Sequence, residues 1–70
     1  MRYTIEVEQE TDGRWLAEVP ELPGVLAYGT TLSQAQSKAE ALALRVIAER
    51  LESDECQPQP IHIELGTASA

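Results

Sequence analysis

The stretch VPELPGVLAYG, residues 19–29, decides how this chain folds, because two prolines and two glycines interrupt a run of apolar residues there. Pro20 has no amide N–H to give to a sheet, so a strand that arrives at Val19 must stop or run along an edge. Pro23-Gly24 is a strong turn signal, and residues 25–28 then resume an apolar pattern. The stretch therefore predicts a rigid turn that joins two strands.

Working outward, four segments have the pattern of a β-strand. Residues 2–9 (RYTIEVEQ) alternate strictly between apolar and polar side chains, and residues 14–19 (RWLAEV) repeat that period of two. A short third strand is predicted at 25–28, and IHIEL at 61–65 reads as a fourth. The first three strands follow one another through turns, so we expect them to form an antiparallel sheet.

The register of the first two strands follows from which side chains must be buried. A two-residue turn would place Glu18 beside Val7 on the apolar face, and a slip of one residue turns a whole strand over. A three-residue loop, 11–13, instead pairs Val7 with Ala17 and is of a kind that commonly ends in a glycine. We therefore expect the three-residue loop, which sets Glu6 directly opposite Glu18.

The pattern of residues 32–51 predicts a single helix. Thr31, followed three residues later by Gln34, is typical of a capping box. The apolar side chains recur at spacings of three and four residues, and they are Leu32, Ala35, Ala39, Leu42 and Val46. The predicted fold class is thus α+β: a three-stranded antiparallel sheet, one long helix and a fourth strand (βββαβ). We expect a single domain over residues 1–70, with a frayed tail at 66–70.

A chain of 70 residues has a thin core and usually needs further support. A single cysteine (Cys56) excludes an internal disulfide, and one cysteine with one histidine (His62) makes a structural zinc site implausible. The helix would span about 30 Å, whereas six-residue strands span about 20 Å. Either the fourth strand or a second copy must cover the apolar overhang, and we expect a homodimer or homotetramer, through contacts at Leu44, Ile47 and Leu51.

The net charge of −7 bears on the kind of partner. Nucleic-acid binding needs clustered Lys and Arg, whereas the five basic residues here are scattered, so we expect no direct DNA binding by this chain. An acidic surface suits a basic protein partner, although acidity also simply keeps a protein in solution. The sequence has no secretory signal and no membrane-spanning run, and we expect a cytoplasmic protein with no membrane association.

Three glutamates, Glu6, Glu8 and Glu18, are predicted on one face of the sheet. A metal-dependent nuclease would need such carboxylates to converge on Mg²⁺. The alternatives are a plain solvated face or a surface for a cationic partner, whose Lys or Arg would relieve the repulsion between Glu6 and Glu18. We expect the partner surface, and no catalytic residues, metal or cofactor.

Other candidate partner contacts are apolar or lie in the turn. Leu16, Leu26 and Tyr28 are suited to an interface if they lie on the face opposite the helix. Glu21 and Leu22 qualify if the turn is a preordered loop that presents them to a partner, and otherwise they belong to a rigid turn.

A family resemblance covers most of the chain, from Tyr3 to Glu52. The segment DGRWLAEVPELPGVLAYGTT (12–31), followed by the Ala-Leu-rich helix ALALRVIAERLE (41–52), resembles the HicB-type antitoxins. The resemblance is most specific at glycines, prolines and apolar residues that have the family's spacing. They are Gly13, Trp15, Ala17, Val19, Pro20, Leu22, Pro23, Gly24, Gly29 and Thr31.

The resemblance implies a HicB-like fold, often described as a partial ribonuclease-H-like domain. It also implies a partner, a small basic HicA-type toxin that cleaves mRNA and whose active site the antitoxin occludes. Many family members carry a further DNA-binding module, and this sequence contains none. The expected function is therefore toxin neutralisation without autoregulation by this chain, and the alternative is a stand-alone oligomeric HicB-like protein of unknown ligand.

Overall fold

The computed structural model describes residues 1–66. Residues 67–70, most of the predicted frayed tail, lie outside the described residues. The elements follow one another as β1 (Arg2–Gln9), β2 (Trp15–Glu18), β3 (Leu26–Gly29), α1 (Leu32–Glu52) and β4 (His62–Leu65). The strands form one four-stranded sheet, so the predicted α+β class and the order βββαβ are confirmed. The described helix is too polar to cross a membrane.

The hairpin of β1 and β2 has the predicted register. Val7 pairs with Ala17, and Glu6 pairs with Glu18. The three-residue loop is closed by the amide of Glu10, which donates to the carbonyl of Arg14 at 2.7 Å. Gly13, the last residue of the loop, has a φ of +93°, a conformation that costs glycine little.

The turn from β2 to β3 consists of two consecutive β-turns that share Leu22. The amide of Leu22 donates to the carbonyl of Val19 at 2.9 Å, and the amide of Val25 donates to the carbonyl of Leu22 at 3.0 Å. Pro23 and Gly24, with a φ of +87° at the glycine, occupy the positions that a type II turn requires. The two turns direct the Leu22 side chain into the core, where it is only 1% exposed. The rigid turn predicted from the prolines is confirmed.

The sheet is mixed, because β4 runs parallel to β1. The strand order is β3-β2-β1-β4, with antiparallel pairs β1–β2 and β2–β3 and a parallel pair β1–β4. The helix carries the chain from the end of β3 back across the sheet, so β4 starts in the direction of β3, which is also the direction of β1. A crossover of this kind produces parallel strands. Only the first three strands have the antiparallel arrangement that the sequence predicts.

The helix begins where the sequence predicts and lies close to the sheet. Thr31 Oγ1 accepts the amide of Gln34 at 3.0 Å, while Gln34 Oε1 accepts the amide of Thr30 at 2.7 Å, one residue before the cap. Residues spaced four apart face the sheet and are buried: Ala35, Ala39, Ala43 and Ile47. Small side chains on this line let the helix approach the strands, with larger half-buried residues on either side of it.

Ile47, predicted as an oligomer contact, is a core residue. It is 1% exposed and packs with Ile5, Val7 and the helix alanines, so it is unavailable to a second copy. The helix turns by about 100° per residue, which puts Ile47 in line with Ala43 and directs Leu44 toward solvent. Leu44 is exposed and Leu51 is half-buried.

Candidate functional site

One face of the sheet is covered by the helix and the other is open. The registers of the three strand pairs assign alternate residues to each face. Ile5, Val7 and Ala17 face the helix and are buried. We call the opposite side the open face. Its members are Arg2, Thr4, Glu6, Glu8, Leu16, Glu18, Leu26, Tyr28, His62 and Glu64.

The half of the open face on β2 and β3 is apolar. Leu16 pairs with Tyr28, and Glu18 pairs with Leu26. Leu26 is 45% exposed, Tyr28 is 40% exposed and Leu16 is half-buried. The condition under which these three residues were predicted as partner contacts, a position opposite the helix, is therefore met.

The middle of the open face is acidic. Glu6 lies directly opposite Glu18, and Glu8 lies opposite Leu16. All three carboxylates are exposed, and none of them takes part in an ion pair within residues 1–66. Like charges directly opposite one another on neighbouring strands destabilise a sheet. The arrangement therefore favours a cation between these side chains.

One cation at the margin of the open face is held in place. Arg14 lies over the ring of Tyr28, with its guanidinium carbon 4.6 Å from the ring centroid. Its Nε donates to Asp12 Oδ2 at 2.8 Å. Bonds from the backbone and side chain of Arg14 lower the pKa of Asp12, and the same carboxylate raises the pKa of Arg14. Arg14 is thus turned toward the loop and the aromatic ring rather than toward the acidic strip.

The β4 side of the open face carries charges of both signs, a feature that was not predicted from the sequence. Glu64 lies 3.8 Å from Arg2 and 3.4 Å from His62. All three side chains are more than half exposed. The alternation in IHIEL was the available signal, but the partner strand of this segment was not predictable, so His62 and Glu64 could not be placed beside Arg2.

The two turn residues proposed as partner contacts differ in position. The prediction that Leu22 is a surface contact is wrong, because the two consecutive β-turns bury its side chain. Glu21 is exposed, but its Oε1 accepts the backbone amide of Thr4 at 3.0 Å, and this bond lowers the pKa of the Glu21 carboxyl. Glu21 therefore has a structural partner within the chain.

The open face thus combines an apolar half with an acidic strip. Within residues 1–66, no three His, Cys, Asp or Glu side chains are grouped so that they could hold a metal ion. Comparison of the chain with protein-family models, with curated proteins and with solved structures finds no match.

Proposed function

We propose that this chain is a HicB-like antitoxin domain that binds a small, basic, mRNA-cleaving HicA-type toxin and neutralises it by covering its active site. The observation that carries the proposal is the open face, on which exposed apolar side chains adjoin carboxylates that have no ion-pair partner within the described part of the chain. The resemblance of residues 12–31 to the HicB-type antitoxins supplies the class of partner.

The two halves of the open face suit different parts of such a contact. Leu26 and Tyr28 provide exposed apolar area. Aromatic residues are enriched among the few interface residues that contribute most of the binding energy. Glu6, Glu8 and Glu18 provide negative charge that speeds encounter with a cationic surface and orients it. A toxin that binds RNA through Lys and Arg presents cations of this kind, and carboxylates that occupy them compete with RNA phosphates.

The proposal requires no reactive group on this chain. Inhibition by occlusion depends on shape and charge complementarity, so its strength depends on residues that make contact rather than on an acid, base or nucleophile. The three exposed glutamates make a clear electrostatic prediction, because the charge on each can be reversed at an exposed position without disturbing the core.

The test is binding to a purified, catalytically inactive variant of a HicA-type toxin, measured by calorimetry at low and high salt. We expect a complex that weakens as salt increases. Glu18→Lys should weaken it by about tenfold or more, which corresponds to about 1.4 kcal/mol. The same substitution places a lysine opposite Glu6, so the free energy of unfolding should be unchanged or higher.

The matched control is Glu40→Lys, which makes the same charge change at an exposed position of the helix and should leave toxin binding within about twofold. Equal loss of binding in both variants would mean that net charge, and not the open face, is responsible. No complex with the wild-type chain would contradict the proposal and favour the stand-alone oligomeric protein.

A further inference from the structure

The outer edge of β4 is an unpaired strand edge with apolar side chains. Within residues 1–66, β4 is the last strand of the sheet and pairs only with β1. Ile61 is 43% exposed and Leu65 is 57% exposed. Proteins usually protect such edges with charged side chains, above all lysine, with proline or with a bulge. The segment Ile61–Leu65 has no lysine or proline, and Glu64 is its one acidic residue.

The direction of the backbone groups of β4 follows from its bonds to β1. The amide of His62 donates to the carbonyl of Met1 at 2.8 Å, and the amide of Gly66 donates to the carbonyl of Ile5 at 2.8 Å. Alternate residues of a strand direct their N–H and C=O groups to the same side. Residues 62, 64 and 66 therefore face β1, and the N–H and C=O groups of residues 61, 63 and 65 face outward.

We propose that β4 pairs antiparallel with β4 of a second copy, about a two-fold axis at Ile63. This inference does not depend on the toxin-binding proposal. In this register Ile63 of the two copies exchange both hydrogen bonds, and Ile61 of each copy does the same with Leu65 of the other. The outward-facing backbone groups of both strands are thereby satisfied, which is the arrangement of a hydrogen-bonded antiparallel pair.

The side chains select this register over its neighbours. It sets His62 of each copy opposite Glu64 of the other, a pair that is favourable whether the imidazole is neutral and donates a hydrogen bond or is charged. A shift in one direction places Glu64 opposite Glu64, which is repulsive, and a shift in the other places His62 opposite His62. The axis at Ile63 is the one that combines complementary polar pairs with Ile61–Leu65 contacts on the other face.

The apolar side of β4 also needs a cover that residues 1–66 do not provide. Ile63 and Leu65 lie on the helix side of the sheet, but α1 packs mainly on β3, β2 and β1. Leu65 is consequently the most exposed large apolar side chain among the described residues. Pairing about Ile63 brings Leu65 of one copy beside Ile61 of the other and removes both from water.

A charge exchange tests the pairing, with the mass of the assembly measured by analytical ultracentrifugation. We expect the wild-type chain to be a dimer at micromolar concentration. His62→Glu places glutamate opposite Glu64 of the second copy and should raise the dimer dissociation constant about tenfold or more. The double variant His62→Glu, Glu64→His restores an unlike pair only in the proposed register, so the dissociation constant should return to within about threefold of wild type.

Single cysteines, each introduced with Cys56→Ser, measure the register itself. Ile63→Cys should form a disulfide-linked dimer under mild oxidation, because residue 63 is the position that lies opposite the same residue of the second copy. The Cα atoms of such a pair lie about 5.5 Å apart, within the range of a disulfide. His62→Cys and Glu64→Cys, at exposed positions, should crosslink much more slowly. Preferential crosslinking at 62 or 64 would overturn the register, and a monomeric wild-type chain would overturn the proposal.

Discussion

At the scale of single residues, the side chain of Glu21 accepts a backbone hydrogen bond that strand β2 would otherwise accept if it continued. Extension of the β1–β2 register by two residues beyond Glu6–Glu18 sets Pro20 opposite Thr4. The chain turns away there, which leaves the amide of Thr4 without a strand partner. The carboxylate of Glu21 accepts that amide at 3.0 Å, so the residue that follows the proline satisfies the bond that β2 does not make.

The bond from Thr4 makes a small part of the stability depend on pH. The hydrogen bond lowers the pKa of the Glu21 carboxyl below its ordinary value of 4.5. The stabilising effect of the bond is therefore complete above pH 4.5 and is lost as the pH falls through the lower pKa of the folded state. Glu21→Gln keeps a neutral acceptor, and we expect it to be less stable at neutral pH by under about 1 kcal/mol, since the site is exposed.

Urea unfolding of wild type and Glu21→Gln from neutral to acidic pH measures this difference. The two free energies of unfolding should converge as the pH falls below 4.5. Glu40→Gln, on the exposed surface of the helix, is the control and should show no such convergence. A difference that stays constant with pH would mean that the carboxylate charge has no part in holding Thr4.

Gly29 and Gly24 are positions where a side chain would be unfavourable for two different reasons. A Cβ at Gly29 would lie 2.5 Å from the amide nitrogen of Ala35, at the start of the helix, whereas one at Gly24 would meet nothing within 4 Å but would sit at a φ of +87°. We expect Gly29→Ala to cost about 2–3 kcal/mol through steric overlap with backbone. Gly24→Ala should cost about 1–2 kcal/mol through strain alone. Denaturant unfolding of both variants measures the order, and a larger loss at Gly24 would contradict it.

At the scale of elements, α1 ends in a Schellman motif that has aspartate where glycine is usual. The amide of Glu55 donates to the carbonyl of Arg50 at 2.8 Å, and that of Asp54 donates to the carbonyl of Leu51 at 3.3 Å. These bonds require the residue after the C-cap to be left-handed, and Asp54 has a φ of +59°. Its negative charge also lies near the negative end of the helix dipole.

Asp54→Gly should therefore stabilise the chain by about 0.5–1 kcal/mol, since it removes both the strain of a Cβ at positive φ and the unfavourable charge. Asp54→Ala is the matched control, because it removes the charge and keeps the Cβ, and it should gain less. Thermal unfolding of the three proteins measures the effect. A gain from alanine equal to that from glycine would assign the whole effect to charge.

How far the elements could be predicted depends on what each residue pattern constrains. Alternation fixed the pairing of Val7 with Ala17, because a slip would bury Glu18, and the same logic placed the glutamates on the open face. The edge that β4 joins was not predictable, because the residues 61–65 alternate equally well beside either sheet edge. Ala43 was absent from the predicted apolar stripe, and Ile47 was wrongly assigned to an oligomer contact, because the large residues beside them dominate the apolar pattern, whereas close helix packing favours the alanine line. Leu22 was misjudged because turn geometry, not periodicity, decides where it points.

At the scale of the whole molecule, the open face and the β4 edge are compatible surfaces. Pairing of two β4 strands about an axis perpendicular to the sheet would give one eight-stranded sheet, with both helices on one side and both open faces on the other. The proposed partner contacts on β1, β2 and β3 would remain accessible in that dimer. The two proposals can therefore be tested on the same protein without one blocking the other.

Dimerisation through β4 makes the stability of the chain depend on its own concentration, because association favours the folded state by mass action. For a chain of 70 residues, a hundredfold increase in concentration should raise Tm by about 5–10 °C if folding and dimerisation are coupled. Leu65→Lys places a charge in the proposed contact and should remove most of that dependence. Leu44→Lys changes an exposed apolar residue on the helix, at the contact predicted from the apolar overhang, and should preserve the dependence if the second copy binds at β4 instead. Scanning calorimetry at several concentrations measures the Tm of all three proteins. A wild-type Tm that does not change with concentration would contradict dimerisation through β4. So would a Leu65→Lys variant whose Tm depends on concentration as strongly as that of wild type.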